Sequence, residues 1–158
     1  AITGGDRYTF ALTPYGIDAD IDNITIKTYT QQEIRIDTIA VNHGDIPAIA
    51  YKVTIDKKSI LFSGDTSAKT DNLLRLAKDA DLFVANHAIS HRHNKYAGIL
   101  HMPPLRIGEI SQKAHVKKLL LSHRMNRTLG KERESLFKIR QFYKGNVLLA
   151  EDHMKIHL

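Results

Sequence analysis

The sequence contains no cysteine and no tryptophan. Without cysteine, these 158 residues can form neither disulfide bonds nor thiolate metal sites, and the redox compartment stays undecided. No apolar run approaches the roughly 20 residues that span a bilayer, so we expect a soluble chain without a membrane partner. The opening AITGGDRYTF has no basic segment followed by an apolar one, so we expect no signal peptide and a cytoplasmic protein. Because the chain begins with Ala1 rather than methionine, we also expect the true N-terminus to lie upstream.

The size and the charge distribution suit one globular domain with a basic end. Hydrophobic residues make up 42% of the chain, which predicts a single domain over residues 1–158. Residues 1–100 carry 11 Lys or Arg against 12 Asp or Glu, whereas residues 101–158 carry 12 against 5. This basic C-terminal third is typical either of solvated surface helices or of a surface that attracts phosphate or nucleic acid.

Apolar patterning predicts a β-rich first part followed by alternating helices and strands. Alternation and β-branched residues predict strands at 24–29, 34–41, 48–55 and 59–62, with a hairpin turn at Asp56–Lys58. Helical spacing predicts helices at 70–80, 103–114 and 131–145, separated by strands at 81–85 and 117–122. Two further strands, NVLLA and MKIHL, are predicted at the end. The order indicates an α/β (α+β) fold in which helices cover a sheet and loops at strand ends form any site.

Histidine and aspartate side chains follow several of these strands. Asp65 follows the strand ILF, His43 and His123 each follow an apolar strand, and His101 directly precedes a helix that begins with two prolines. Each residue alone is typical of a turn or a surface position. Together, imidazole and carboxylate groups suit zinc, manganese or iron, which would lower the pKa of a bound water and supply hydroxide for hydrolysis.

Four stretches of the chain resemble a known protein family in their sequence and in their order. VNHGDIPAIAYKV, KSILFSGDT, LLRLAKDADLFVANHA and LHMPPLRIGEISQKAHVKKLLLSHR are similar to the C-terminal part of metallo-β-lactamase-fold hydrolases of the ribonuclease Z-like branch. The resemblance implies part of an αββα sandwich, with a mixed sheet flanked by helices. It implies that His43 and His123 bind metal and that Asp65 bridges two zinc ions. His101 is similar to a histidine that donates a proton or stabilises charge near the leaving group.

The resemblance is incomplete in two respects. The family's HxHxDH motif, which supplies four ligands, is absent, since His43 is the first histidine of the chain. We therefore expect an N-terminally incomplete chain that is inactive alone and needs the missing portion, a complementing chain or a homodimer. The sequence HMP, which begins at His101, also replaces the HST-like motif of ribonuclease Z, and this difference weakens a tRNA-processing assignment.

Other polar side chains are candidates for lesser roles. Arg124 and Arg127 could bind an anionic substrate group or hold the His123 loop, and His87 could line the pocket or pack structurally. His91 and His93 in HRHNKY are interpreted as a surface loop. The remaining expectations are a surface or helix-end position for His115, solvent-facing strand positions for His153 and His157, and no base-stacking platform at Tyr8, Phe10 and Tyr15.

Two functional hypotheses follow. The first is a metal-dependent hydrolase in which a metal-bound hydroxide attacks an ester-type bond, with phosphodiesters favoured and lactones, thioesters and aryl sulfates open. Its substrate would be a small-molecule or nucleic-acid ester. The second is a non-catalytic half-domain that binds nucleic acid or a protein partner through its basic third. Stoichiometric metal binding that is lost when Asp65 is replaced would favour the first hypothesis over the second.

Overall fold

The computed structural model of the protein describes residues 14, 16–22 and 26–158. Its strands are β1 (Lys27–Gln31), β2 (Ile34–Ala40), β3 (Ile49–Ile55), β4 (Lys58–Phe62), β5 (Leu82–Asn86), β6 (Lys118–Ser122) and β7 (Asn146–Leu149). Its helices are α1 (Asn72–Ala77), α2 (Lys95–Leu100), α3 (Pro104–Lys113) and α4 (Glu132–Ile139).

The strands form one mixed sheet in the order in which they occur in the chain. The pairs from β1 to β4 are antiparallel, and the pairs from β4 to β7 are parallel. Since β2 and β4 are both antiparallel to β3, they run in the same direction as β5, β6 and β7. The carboxyl ends of these strands therefore lie at one edge of the sheet, where side chains from distant parts of the chain can meet.

A two-residue turn fixes the register of β3 and β4. Ile55 pairs with Lys58, and both intervening residues, Asp56 and Lys57, have positive φ angles of 48° and 67°. Positive φ at both central positions is the type I′ geometry, whose twist matches that of the flanking strands. The hairpin predicted at Asp56–Lys58 is therefore confirmed.

One face of the sheet packs against α1, α3 and α4. Leu61, Phe83 and Leu119 are cross-strand neighbours on this face and are all 0% exposed. The helices contribute side chains such as Leu73 and Ile107 to the same buried cluster. This core gives the carboxyl edge of the sheet a rigid base.

The opposite face of the sheet carries apolar side chains that are substantially exposed. Tyr51 and Phe62, which are paired across β3 and β4, are 40% and 42% exposed, and Ile34 and Ile55 are similarly exposed. A strand that is apolar on both faces is typical of a sheet covered on both sides. Within the described residues, helices cover the first face only.

The predicted α/β class with a mixed, helix-flanked sheet is confirmed, and most predicted elements are found. Three predictions were wrong in detail. Helix α2 lies in a segment that we expected to be loop, α4 ends near Ile139 rather than at Gly145, and MKIHL is not a strand. His153 and His157 are exposed, but their apolar neighbours Met154 and Leu158 are exposed as well, so the expected alternation is absent.

Some of the residues discussed from the sequence lie outside the described part of the chain. Residues 24 and 25 of the first predicted strand, and Tyr8, Phe10 and Tyr15, lie outside the described residues. In the part of the chain that is described, no helix combines the length and the apolar character that a transmembrane segment requires.

Candidate metal and active site

The four residues predicted from strand ends come together at the carboxyl edge of the sheet. Asp65 lies at the centre of the group. Its Oδ2 is 4.0 Å from His43 Nε2, and its Oδ1 is 3.6 Å from both His123 Nε2 and His101 Nδ1. The rings of His43 and His101 have centroids 5.4 Å apart, and those of His101 and His123 are 6.3 Å apart.

His43 is oriented by a backbone carbonyl. Its Nδ1 lies 2.8 Å from the Leu100 carbonyl oxygen, which can only accept a hydrogen bond. Nδ1 therefore carries the proton in the neutral ring, and Nε2 presents its lone pair towards Asp65. A histidine whose second nitrogen donates to a carbonyl is the usual form of a metal ligand.

Left-handed backbone conformations shape the turns that carry these side chains. Gly44, directly after His43, has φ of 59°, and Gly64, directly before Asp65, has φ of 58°. A Cβ atom at Gly64 would lie 3.0 Å from the Ile49 carbonyl oxygen, so a side chain there would be both strained and crowded. These left-handed conformations explain why glycine directly follows His43 and directly precedes Asp65.

His123 is held in the same left-handed region, although it is not glycine. It follows the last residue of β6 and has φ of 51°. This conformation costs an L-residue of this kind roughly 1–2 kcal/mol. Such strain tends to occur at functional sites, where other contacts hold the residue in place.

Asn86 is a site residue that the sequence reasoning missed. As the last residue of β5, it lies between the strand ends that lead to Asp65 and His123. Its Nδ2 donates to Asp65 Oδ1 at 2.8 Å, and its backbone N–H donates to Ser63 Oγ at 3.0 Å. Its position at the end of a parallel strand could have indicated that Asn86 belongs to the site. Asparagine is too common at strand ends for this position to be a specific indication.

His101 is the most enclosed imidazole of the group. The residue is 7% exposed, and its Nδ1 is buried without a hydrogen-bond partner among the described residues. Burial lowers the pKa of His101, the Asp65 carboxylate opposes this shift, and His43 and Arg127 add to it. A buried imidazole with a free nitrogen beside the carboxylate has capacity to accept, hold or donate a proton.

The three side chains that we predicted to contact substrate differ in their surroundings. Arg124 donates to the Ala150 carbonyl at 2.9 Å and pairs with Glu132 at 3.3 Å, so its guanidinium holds the His123 loop. Arg127 is exposed, and its guanidinium contacts only the sulfur of Met125 among the described residues. Of the two arginines, Arg127 is therefore the one available to an anion.

His87 does not line an open pocket. Its side chain is 0% exposed, and its Nε2 is 2.9 Å from Ser135 Oγ on α4. A substrate cannot reach this ring in the observed conformation, so the structural alternative is the one the geometry supports. Burial lowers the pKa of His87 to about 4, while Glu132 raises it and Arg124 lowers it further.

This pKa predicts a stability change at mildly acidic pH. The unfolded chain binds a proton at His87 with an ordinary pKa of 6.5, whereas the folded chain resists protonation down to about 4. Between these values the unfolded state binds more protons, so stability falls as pH falls from about 6.5 to about 4. We expect this group to cost about 3 kcal/mol of unfolding free energy between pH 7 and pH 4.

Urea unfolding at pH 7, 5 and 4 checks this prediction. The His87→Gln variant keeps a polar side chain near Ser135 but cannot titrate, so its stability should fall about 3 kcal/mol less than that of the wild type. Equal losses in the two proteins would mean that His87 is not held in its neutral form.

Two pairs of donor atoms lie near the spacing that ligands of one cation have. Ligands on a tetrahedral zinc with bonds of about 2.0–2.2 Å are about 3.3–3.6 Å apart. The His123–Asp65 distance of 3.6 Å matches this spacing, and the His43–Asp65 distance of 4.0 Å is slightly longer. Among the described residues, no group of three or more His, Asp or Glu side chains is arranged so that it could hold a metal ion. His43 and His123 face different oxygens of the Asp65 carboxylate, Oδ2 and Oδ1 respectively.

The remaining histidines do not join this site. His93 Nδ1 is 3.0 Å from the Ser90 carbonyl and 3.1 Å from that of His91, within the segment before α2. His115, which lies between α3 and β6, is exposed, with its Nδ1 3.6 Å from Asp79 Oδ1. These positions agree with the surface roles expected for them.

A family model described as a beta-lactamase superfamily domain matches residues 8–124. This range is well over half of the chain, so the chain belongs to the beta-lactamase superfamily. The match includes all four side chains at the carboxyl edge and ends one residue after His123. No curated protein matches the chain.

Solved structures share the fold at low sequence identity. The metallo-beta-lactamase fold protein YhfI from Bacillus subtilis is 20% identical, with a TM-score of 0.69 over 79% of this chain and 50% of that chain. The short form of human tRNase Z is also 20% identical, with a TM-score of 0.64 over 84% of this chain and 47% of that chain. An isothiocyanate hydrolase from Delia radicum gut bacteria is 14% identical, with a TM-score of 0.64 over 83% and 57%. The chain therefore spans about half the length of these structures.

Proposed function

We propose that this chain forms the metal-binding and leaving-group side of a metal-dependent hydrolase that cleaves an ester-type bond, with phosphodiesters favoured. The observation that carries the proposal is the position of His43 and His123, which are 80 positions apart in the sequence. Each has a ring nitrogen within 4.0 Å of the Asp65 carboxylate. The superfamily membership of the chain supports the same reaction class.

The proposed metal ligands are His43, Asp65 and His123. Two neutral imidazole nitrogens and a carboxylate suit zinc, with manganese or iron as alternatives, and Asp65 has a second oxygen that could bridge to a second ion. Bound zinc would lower the pKa of a coordinated water towards neutrality and so make a nucleophile available. Asn86 keeps the Asp65 carboxylate turned towards the two histidines through its 2.8 Å hydrogen bond.

His101 is the proposed proton donor or charge stabiliser. It lies 3.6 Å from Asp65, is enclosed, and is not on the strands that carry the proposed ligands. Its backbone N–H donates to the Ala97 carbonyl at the end of α2, and the prolines that follow begin α3, so its backbone is fixed on both sides. A fixed imidazole beside the reacting bond is suited to proton transfer.

Phosphodiesters are favoured as the substrate class for two reasons. The Arg127 guanidinium, which has no carboxylate partner among the described residues, lies on the loop that begins at His123, and arginine matches phosphate geometry well. One structural neighbour is named a tRNase Z. Because another neighbour is named an isothiocyanate hydrolase, the fold alone does not choose the bond that is cleaved.

We further propose that a second β-sheet completes the active assembly. Among the described residues, Tyr51 and Phe62 on one sheet face are 40% and 42% exposed, which favours coverage of these side chains by another polypeptide segment, a complementing chain or a second copy. The HxHxDH ligands absent from this sequence would belong to such a complement. We expect the 158-residue chain to hydrolyse little or nothing without it.

Zinc titration of the metal-free chain, followed by an assay with bis(p-nitrophenyl) phosphate, tests the proposal. We expect one zinc ion per chain, bound weakly, with negligible phosphodiester hydrolysis until a complement is added. A chain that binds no zinc, manganese or iron would overturn the metal-site proposal. Full turnover by the purified chain alone would contradict the expectation that it needs a complement.

The alternative is a non-catalytic module that uses its basic C-terminal third to bind nucleic acid or a protein. The excess of Lys and Arg in residues 101–158 favours this alternative. It predicts a metal-free protein whose affinity for nucleic acid falls steeply with salt and does not depend on Asp65.

A further inference from the structure

A small cavity lies at the start of α2. It has a volume of about 180 Å³, and its lining includes Arg92, His93, Arg127 and Lys131. Asn94, which caps α2 by accepting the Ala97 N–H, also lines it. No carboxylate contributes to this lining.

The three strong cations of the cavity are not neutralised within the described part of the chain. Arg127 contacts the Met125 sulfur at 3.3 Å, and no ion pair involves Arg92 or Lys131. Two other arginines behave differently, since Arg124 pairs with Glu132 and Arg106 pairs with Asp71 and Glu109. Cations gathered around a concave surface without counter-charges create a positive potential that favours an anion.

The cavity size indicates what kind of anion would fit. Pockets for drug-sized ligands and cofactors are typically about 300–1,000 Å³, so a cavity of about 180 Å³ lies below that range and suits a small anion better. A single phosphate group is compact, carries up to two charges and accepts the paired hydrogen bonds that arginine forks donate.

The cavity is linked to the proposed active site by two segments. Helix α2 begins at the cavity, is six residues or about 9 Å long at 1.5 Å per residue, and ends at Leu100, directly before His101. Arg127 lies four positions after His123 on the loop that leaves β6. A phosphate in the cavity would therefore lie about the length of this short helix from a bond positioned at His101.

We propose that Arg92, Arg127 and Lys131 form a phosphate-binding subsite that holds a second phosphate group of the substrate, next to the one that is cleaved. This proposal rests on the proposed function for the identity of the substrate, but not for the binding of phosphate. It makes the preferred substrate one with at least two phosphates, such as a short single-stranded nucleic acid. The family match ends at residue 124, so two of the three cations lie beyond the matched region.

Binding of inorganic phosphate to the metal-free chain tests the subsite. With a chelator present, phosphate cannot bind through a metal, and NMR signals of the arginine Nε–H groups report where it binds. We expect shifts at Arg92 and Arg127, and a Kd that is about 10-fold weaker in the Arg92→Gln, Lys131→Gln double variant. The Lys57→Gln, Arg75→Gln variant loses the same net charge elsewhere and should bind phosphate within about two-fold of the wild type.

The results separate this proposal from the proposed function. Equal weakening in both double variants, or no phosphate binding by the wild type, would overturn the subsite whether or not the protein is a hydrolase. In the active assembly, the Arg92→Gln, Lys131→Gln variant should raise KM about 10-fold for a substrate with two phosphates and leave bis(p-nitrophenyl) phosphate unaffected. An unchanged KM for both substrates would also count against the subsite.

Discussion

Replacing Asp65 by asparagine is expected to weaken zinc binding about 100-fold or more. Loss of a residue that merely orients a metal ligand typically lowers metal affinity about 10–100-fold. Asp65 is itself a proposed ligand and lies near both His43 and His123, so its loss should cost at least as much. Asparagine keeps the size of the side chain and can still contact Asn86, but it removes the negative charge that offsets the cation. Isothermal titration with zinc measures the change directly.

A matched control separates this loss from a general effect of charge. Asp56→Asn removes one negative charge in the β3–β4 turn, where asparagine tolerates the positive φ of 48°. We expect the Asp56→Asn variant to bind zinc as the wild type does. If the Asp65→Asn variant keeps its affinity, Asp65 is not a metal ligand.

Replacing His101 by alanine is expected to lower turnover of the active assembly by about 10²–10⁴-fold, the usual contribution of a positioned general acid or base. Zinc content should not change, because His101 is not among the proposed ligands. KM should change little, since the lost interaction would be made mainly in the transition state.

The control for His101 is His115→Ala, which removes an exposed imidazole that lies beside Asp79. This variant should retain full turnover. If His101→Ala also releases the metal, then His101 is a ligand and its assigned role is wrong. The Nδ1 of His101, 3.6 Å from Asp65 and without a hydrogen-bond partner among the described residues, makes this distinction worth measuring.

Much of the sheet and the position of the site could be predicted from sequence, because both depend on local patterns. Alternating apolar residues marked β2 and β3, and the polar residues that interrupt apolar runs marked the ends at His43, Asp65 and His123. Since strands that run in one direction present their carboxyl ends at one edge, convergence of these side chains followed from topology.

The features that could not be predicted depend on long-range contacts. Burial of His87 against Ser135 requires α4 to pack near the end of β5, and no pattern around residue 87 contains that information. The hydrogen bond from Asn86 to Asp65 links residues 21 positions apart, so it too is set by tertiary structure.

Helix α2 was missed for a local reason. Its six residues, KYAGIL, include a glycine and are too few to show helical periodicity, and the adjacent HRHN drew the interpretation towards a loop. The predicted strand MKIHL failed for the opposite reason. Its alternation is clear, but within the described residues no neighbouring strand pairs with it.

X-ray absorption spectroscopy of the zinc-loaded chain tests the central claim most directly. The His91→Ala, His93→Ala variant should be used, so that the two neighbouring imidazoles of HRHNKY cannot capture zinc together. The account predicts a first shell with two imidazole nitrogens and oxygen donors at about 2.0–2.2 Å, lost on Asp65→Asn. A shell of oxygen atoms alone, or one unchanged by that substitution, would contradict it.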